Sequence, residues 1–389
     1  MPEKPLRIGI VGASPTLGWA RHSHLPAIRA LPEYEMAAVC TARRESAETA
    51  ARQFEAPRAY WDYKELVRDP EIDVVVVTVR APFHHEIVMA ALEHGKHVYC
   101  EWPLATDAKH AEEMAELAVR RGLRNMVGLQ SRGDPSLIRM HDLIAQGWVG
   151  EIVSARMGQL IPGLLDPRHP TRVFRADKQT ATNSLTKDGG HALDAFCWCV
   201  GPFSELPAVV SVRAPEWPVE GSKPVAVTGP DHVSITGLLA GGAVASVVVA
   251  TVPWHAPGVR IEVYGTEGTL LYTTRAKNVN RGAGRLQGAR RNEPELADLE
   301  VPAVLRWAPV ELPMPDPFKV GQMLRRFAEG VRGGFDASPT FSEAAVHQRL
   351  LEAIDLSWQT RSWIRWNHAT SIARMLTRSL SDLAPTNSW

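Results

Sequence analysis

Two stretches of this chain carry residue types that can do chemistry at useful spacings. The first is Lys187-Asp188-Gly189-Gly190-His191-Ala192-Leu193-Asp194. If a helix already covers Lys187, its four-residue spacing to His191 sets both side chains on one face. An imidazole exchanges a proton near neutral pH, and a lysine does so when burial or a nearby cation lowers its pKa. That pair suits proton transfer to or from a hydroxyl. The plainer alternative makes Lys187 a surface cation and Asp188 a helix cap. The second stretch, residues 95–105, reads GKHVYCEWPLA. A helix ends at Gly95, a short apolar strand runs over 97–100, and the strand stops on Glu101-Trp102-Pro103. Ligands bind where the strands of an open parallel sheet reach their carboxyl ends, so Glu101 and Trp102 are candidate contacts to a cofactor or substrate.

The elements that hold these residues begin with a β-rich run at 7–11. It ends in Gly12-Ala13-Ser14-Pro15-Thr16-Leu17-Gly18, and a helical stretch follows. A strand, a glycine turn and a helix start aim backbone N–H groups at a pyrophosphate, with Gly12, Ser14, Leu17 and Gly18 as candidate contacts. The match to GxGxxG is imperfect. Ser14 stands at the second glycine, and one residue is inserted before Gly18. Further strands are predicted at 35–41, 73–79, 97–101 and 125–130, and helical patterns separate them, clearest at 46–54, 84–93 and 107–121. Strands alternating with helices predict a doubly wound parallel sheet, a Rossmann domain over residues 1–130. Thr78, Glu101, Trp102 and Gln130 fall at or beside strand ends and join the candidate cofactor contacts.

The second strand ends on Cys40-Thr41-Ala42-Arg43-Arg44, without an acid. An acid there would bond the ribose 2′-hydroxyl, whereas Thr41 and Arg43 can hold a 2′-phosphate, with Arg44 as a spare. NADP(H) is therefore favoured over NAD(H), although arginines at a helix start are also simply solvated. His84 opens the next helix and either touches the cofactor or caps. His84-His85 is a metal pair only with further ligands nearby, and the sequence supplies no obvious set, so no metal is expected.

After a crossing at Gly128-Leu129-Gln130 and a helix to Gly147, the pattern changes. Strand-length runs at 152–160, 209–213, 232–239, 244–251, 259–264 and 269–273 follow with no helices between most of them. They predict an α+β domain over 131–366 with an open, mostly antiparallel sheet. The apolar run 237–252 contains Gly241-Gly242, which fits two buried strands around a turn rather than a membrane helix. Gln159, Arg172, Arg175, Trp254 and His255 can rim a cleft. Arg172 and Arg175 can hold an anionic group or be solvated, and Trp254 offers a stacking face for a sugar ring. Amphipathic helices are predicted at 318–332 and 342–358, and a helical stripe in an extension over 367–389 suits docking on its own or a partner subunit.

The bulk composition narrows the function classes. Lys+Arg and Asp+Glu each total 43 in 389 residues, so there is no basic excess to hold a nucleic acid. Cys40, Cys100, Cys197 and Cys199 have neither disulfide-framework nor zinc spacing. No secretory signal opens the chain, and a soluble, cytoplasmic protein is expected.

The 95–105 motif resembles GKHVxxEKP-L-A, the hallmark of the glucose–fructose oxidoreductase / inositol dehydrogenase / rhizopine-catabolism (Gfo/Idh/MocA) family, with Trp102 in place of its lysine. Residues 187–194 resemble the family's D-x-G-x-H-x-x-D, with Gly189, His191 and Asp194 on pattern and Lys187 at the first aspartate. The resemblance implies an NAD(P)-dependent oxidoreductase acting on a sugar or polyol. In the family that aspartate and histidine join the lysine around the substrate hydroxyl, and here Asp194 is a further candidate substrate contact. An indole N–H only donates, so Trp102 cannot serve as a base. His191, with Lys187, would handle the proton, and Trp102 would pack on the nicotinamide or sugar. The resemblance also implies a homodimer or homotetramer through the C-terminal sheet. One branch, which holds the yeast galactose-pathway repressor, is similar at Gly18-Trp19-Ala20, Glu101-Trp102, Leu129-Gln130 with Arg132, and Gly229-Pro230-Asp231-His232. It implies an alternative, a non-catalytic NAD(P)-binding sensor acting by protein contact. A third implication is an NAD-dependent glycosidase.

Overall fold

The computed structural model describes residues 4–16 and 18–366; Leu17 and the extension 367–389 lie outside the described residues. The chain divides into two compact units. One runs up to Gly128 and includes 324–348, and the other holds 129–323 and 349–366.

The first unit is built on strands β1 (Leu6–Val11), β2 (Tyr34–Cys40), β3 (Arg58–Tyr60), β4 (Val74–Val77), β5 (His97–Glu101) and β6 (Asn125–Gly128). All pairs are parallel, in the order β3-β2-β1-β4-β5-β6. That is the Rossmann order. Each valine of β4 is fully buried, because helices cover both faces of such a sheet. The crossovers carry α1 (Leu25–Ala30), α2 (Arg44–Phe54), α3 (Tyr63–Arg68), α4 (His84–Glu93) and α5 (Ala108–Arg121). Asp107 starts α5 by accepting the His110 amide at 2.9 Å, and Gly122 ends it at φ +64°. The strand expected at 125–130 is shorter, because the chain turns at Gln130–Gly133. Strand β3, only three residues long, gives no periodic signal.

The second unit contains α6 (Pro135–Ala145), α7 (Gly189–Val200) and a ten-stranded sheet. Its strands are β7 (Ile152–Pro162), β8 (Phe203–Leu206), β9 (Ala208–Ser211), β12 (His232–Leu239), β13 (Val244–Val252), β14 (Gly258–Gly265), β15 (Gly268–Thr274), β16 (Arg285–Arg290), β17 (Ala297–Asp298) and β18 (Ile364–Arg365). Strands β10 (Glu216–Val219) and β11 (Ser222–Ala226) form a separate hairpin. One pair, β7 with β13, is parallel; the rest of the sheet is antiparallel. The apolar run at 237–252 is the β12–β13 hairpin, with Gly242 at φ +86° in its turn. No described helix is long and apolar enough to cross a membrane.

Two long helices, α8 (Asp316–Gly333) and α9 (Phe341–Thr360), complete the described chain, and the unit boundaries fall inside both. The division places 324–348 with the first unit, whereas the sequence pattern groups all of 131–366 together. Within the first unit, Tyr34 donates to Leu324 O at 2.7 Å and the Phe341 amide to Asn125 Oδ1 at 2.7 Å. An amphipathic pattern tells that a helix face is buried, not which core it joins.

The second unit is pinned by Asp134, which is 2% exposed. Its carboxylate caps α6 at the Ser136 amide (2.9 Å), accepts from Tyr272 (3.0 Å) and the Gly284 amide (3.1 Å), and meets Lys319 Nζ at 2.9 Å. Lys319 is fully buried. Removing one member of a buried pair leaves an uncompensated charge, so Asp134→Ala is expected to lower the unfolding free energy by about 3–5 kcal/mol. Denaturant titration checks this, and a loss below about 1 kcal/mol, the range of an exposed pair, would contradict it.

Candidate active site

In the first unit the candidate dinucleotide contacts gather at the carboxyl ends of β1, β2, β4 and β5. Gly12 follows β1 at φ +101°, and a Cβ there would lie 2.7 Å from Thr78 Oγ1 and 2.9 Å from Val79 N. Only glycine lets this turn close onto the end of β4. Thr78 donates its hydroxyl to Val11 O at 3.0 Å, and the Ser14 amide donates to Gly12 O at 2.9 Å. Gly18 also has a left-handed φ, +113°, with open space where a Cβ would sit. This glycine cradle fits a pyrophosphate.

At the tip of β2, Thr41 Oγ1 is shared between Arg43 O (3.1 Å) and Ser46 Oγ (2.6 Å). Arg44 pairs with Glu48 at 2.8 Å and lies over the Trp61 ring. Arg43 is exposed and has no carboxylate partner among the described residues. At the tip of β5, Glu101 Oε1 meets the fully buried His24 at 2.7 Å. Trp102 is 5% exposed, with its ring centroid 5.1 Å from that of His347. An indole packs where the family's lysine would project. Gln130 is buried in the turn that opens the second unit.

His84 differs from expectation. Its Nδ1 lies 2.8 Å from Pro103 O and its Nε2 3.0 Å from Val79 O, and burial pushes its pKa down against those carbonyl contacts. Both ring nitrogens face backbone, so His84 ties the loop after β4 to the loop after β5. Its neighbour His85 is the one that meets ligating groups. His85 Nε2 lies 2.8 Å from Glu113, and with His110 the three ligand atoms fall within 4.8 Å of one another.

The second unit holds a pocket of about 360 Å³, lined among others by Lys187, Asp188, Arg172 and Arg175. Lys187 does not lie on a regular α-helix. Ser184–Asp188 is a wide π-type turn ahead of α7, so the 3.6-residue period behind the shared-face argument does not apply there. Asn183 is the cap, accepting the Leu185 and Thr186 amides at 3.0 Å each, and a Cβ on Gly189 would lie 2.7 Å from Ser184 O. Asp188 is thus freed from capping. Its Oδ1 accepts from Lys187 Nζ at 2.7 Å and Asn278 Nδ2 at 2.8 Å. Burial lowers the Lys187 pKa, Asp188 opposes that, and Arg175 adds to it. Burial alone would raise the Asp188 pKa, but Lys187 and Arg175 outweigh it and hold it below the usual carboxylate range.

His191 is 3% exposed, with Asn280 Nδ2 at 3.3 Å from Nε2, and it is not among the residues lining the pocket. The loop that supplies Asn278 and Asn280 is held from both sides: Lys319 donates to Val279 O at 3.0 Å, and the Val279 amide donates to Gln159 Oε1 at 2.8 Å. Three expected substrate contacts are placed as follows. Gln159 is fully buried and gives its amide nitrogen to Asp188 O at 3.1 Å, so it braces the site. Asp194 is held by Arg132 at 2.6 Å. Trp254 is 62% exposed and, like His255, does not line the pocket. Asp188, Asn278 and Asn280 escaped sequence reasoning as partners, because 89–90 residues separate the bonded groups.

Two family models match the chain: an oxidoreductase family with an NAD-binding Rossmann fold over residues 6–129, and its C-terminal domain over 137–271. The chain belongs to the Gfo/Idh/MocA family. Among curated relatives, levoglucosan dehydrogenase of Pseudarthrobacter phenanthrenivorans is 30% identical over 69% of this chain and 73% of that protein. Dehydrogenase aclE of Aspergillus oryzae is 35% identical over 55% of this chain, and the match spans only 60% of that relative's length. The galactose/lactose metabolism regulatory protein GAL80 of Kluyveromyces lactis is 26% identical over 69% of this chain and 64% of that protein. A solved structure of levoglucosan dehydrogenase with NADH and L-sorbose matches with a TM-score of 0.80 at 25% identity, covering 93% of this chain and 99% of that one.

Gly12→Ala puts a methyl group against Thr78 and Val79 in a left-handed conformation. Fluorescence titration is expected to show dinucleotide affinity falling by at least about tenfold. Unchanged affinity would contradict the assigned cradle.

Proposed function

We propose that the chain is an NAD(P)-dependent oxidoreductase that moves a hydride between a sugar or polyol hydroxyl and nicotinamide. The observation that carries this reading is Lys187. It stands in a pocket of sugar size, bonded to a buried carboxylate, with its pKa lowered by burial. The relatives named as dehydrogenases support the reaction type. Nicotinamide, when bound, supplies the hydride acceptor. The chain itself must remove the hydroxyl proton. Lys187 Nζ in its neutral form takes that proton, and Asp188 stabilises the ammonium that forms. His191, about one turn of chain further on in α7, adds a polar buried ring beside Asp188 and shares the proton work.

The cofactor is NADP(H) on this reading, with Thr41 and the exposed guanidinium of Arg43 at the end of β2 receiving the 2′-phosphate. Trp102 takes the place of the family lysine by packing, and Lys187 takes over its proton chemistry.

One observation favours a second reading. Trp102 removes a base that dehydrogenation in this family uses, and one relative is a regulatory protein. On that reading the chain binds dinucleotide without turnover and acts by protein contact.

The two readings separate in cofactor reduction with a panel of sugars and polyols. Lys187→Met is expected to lower kcat by about 10²–10⁴-fold, the usual worth of a general base. Because the working form of Lys187 is neutral and its pKa lies below the ordinary lysine value, wild-type kcat/KM should rise with pH on that group's titration and flatten above it. Lys187→Met should lose that limb. Turnover with an unchanged pH profile in both Lys187→Met and His191→Ala would remove the proposed roles, and absence of turnover with tight dinucleotide binding would favour the regulator.

A further inference from the structure

The charge of the second unit's pocket is lopsided. Six cations line it, Arg168, Arg172, Arg175, Lys187, Lys277 and Arg281, against two carboxylates, Asp188 and Asp231. Both carboxylates are already engaged. Asp231 is 3% exposed and accepts the amides of Arg213 and Ala214 at 2.8–2.9 Å. Asp188 holds Lys187 and Asn278. Arg281 pairs outside the pocket with Asp316 at 2.6 Å. That leaves Arg168, Arg172, Arg175 and Lys277 with no carboxylate within ion-pair distance among the described residues.

The backbone collects three of these side chains on purpose-built geometry. Arg172 and Arg175 lie three apart in the short 3₁₀ segment Pro170–Ala176, where residues at that spacing eclipse and project from one edge. Arg168, just before it, donates to Leu164 O at 3.2 Å and lies over the Trp217 ring at 4.8 Å, which fixes its guanidinium at the pocket wall. Burial lowers the Arg168 pKa, Asp166 opposes this, and Arg175 and Arg172 lower it further, so the three guanidinium groups repel one another. Assembling like charges in a half-closed pocket costs stability that an anionic ligand offsets. The remaining wall offers Thr182, Ser184 and Thr251 as hydroxyl partners and Ile161 and Leu164 as apolar surface, a mixture suited to a carbohydrate skeleton.

We propose that this pocket takes a sugar or polyol that carries an anionic group, a carboxylate or a phosphate, seated on Arg168, Arg172 and Arg175. The proposal rests on the oxidoreductase reading for its carbohydrate part and on the arginine cluster for its anionic part. Guanidinium forks match both oxyanions bidentately, so the cluster alone does not separate the two.

Calorimetric titration of the full chain, with NADP⁺ present, would use glucose, gluconate and glucose 6-phosphate as probes. At least one anionic probe is expected to bind about tenfold or more tighter than glucose, the range of charge-assisted hydrogen bonds. The stronger of gluconate and glucose 6-phosphate identifies the oxyanion. The advantage should shrink as salt is raised, and it should be lost in Arg175→Gln and in Arg172→Gln, whose thermal unfolding is checked first. Wild-type salt dependence keeps the test decisive if a variant misfolds. Equal affinity for glucose and both anions, or no binding of either anion, overturns the proposal. Turnover of neutral polyols without anion preference overturns the anionic class and leaves the oxidoreductase. Tight, salt-sensitive binding of an anion with no cofactor reduction supports the pocket and counts against the oxidoreductase.

Discussion

The buried ion pair between Asp134 and Lys319 is the constraint on which the second unit's chemistry depends. Neither charge reaches solvent, so each must find its partners inside. Asp134 ties α6 to β15 and to the loop before β16, and Lys319 carries the tie from α8 to Val279. From there the same short loop places Asn278 on Asp188 and Asn280 on His191. Gln159 on β7 closes the frame from the other side, holding Val279 and Asp188 at its two ends. The site is thus braced by buried polar groups whose hydrogen bonds run along one chain of partners.

Two substitutions against the family motif acquire a physical meaning in this frame. A lysine at position 102 would carry a charge at the tip of β5. Trp102 instead buries an indole against His347. At 187 a cation replaces an acid, and Asp188 next to it becomes the counter-charge. The chain keeps an acid–base pair at the start of α7, with the order of charges shifted by one residue. The wide turn over Ser184–Asp188 is what lets both neighbours reach inward, since consecutive residues of a regular helix point about 100° apart.

Much of the architecture was legible in the sequence. The valine run of β4, the alternation of strands and helices, and the Gly241-Gly242 turn state their environments locally. The bounds of α4 and β12 agree with the periodic pattern residue for residue. Long-range partners leave no local signal. Gln159 looked like a polar side chain on a strand rim, yet its partners lie 29 and 120 residues away in the sequence. Asp194 fitted a motif, and its bond to Arg132 spans 62 residues. His84 and His85 were indistinguishable as adjacent letters, but helix geometry sends one into backbone carbonyls and the other toward Glu113 and His110. The arginine cluster was only half visible. Arg172 and Arg175 stand as a pair in the sequence, while Arg168 and Lys277 join them only in the folded pocket.

Hydride transfer by a chain with Trp102 where its family has a lysine is open to direct test. Isotope transfer tests it most directly. The protein would be incubated with oxidised dinucleotide and a carbohydrate deuterated at the carbinol carbon, and the recovered dinucleotide would be weighed by mass spectrometry. Reduced dinucleotide carrying the deuterium is expected. Unlabelled, unreduced dinucleotide recovered across neutral and anionic substrates, from protein that binds it tightly, would contradict the account.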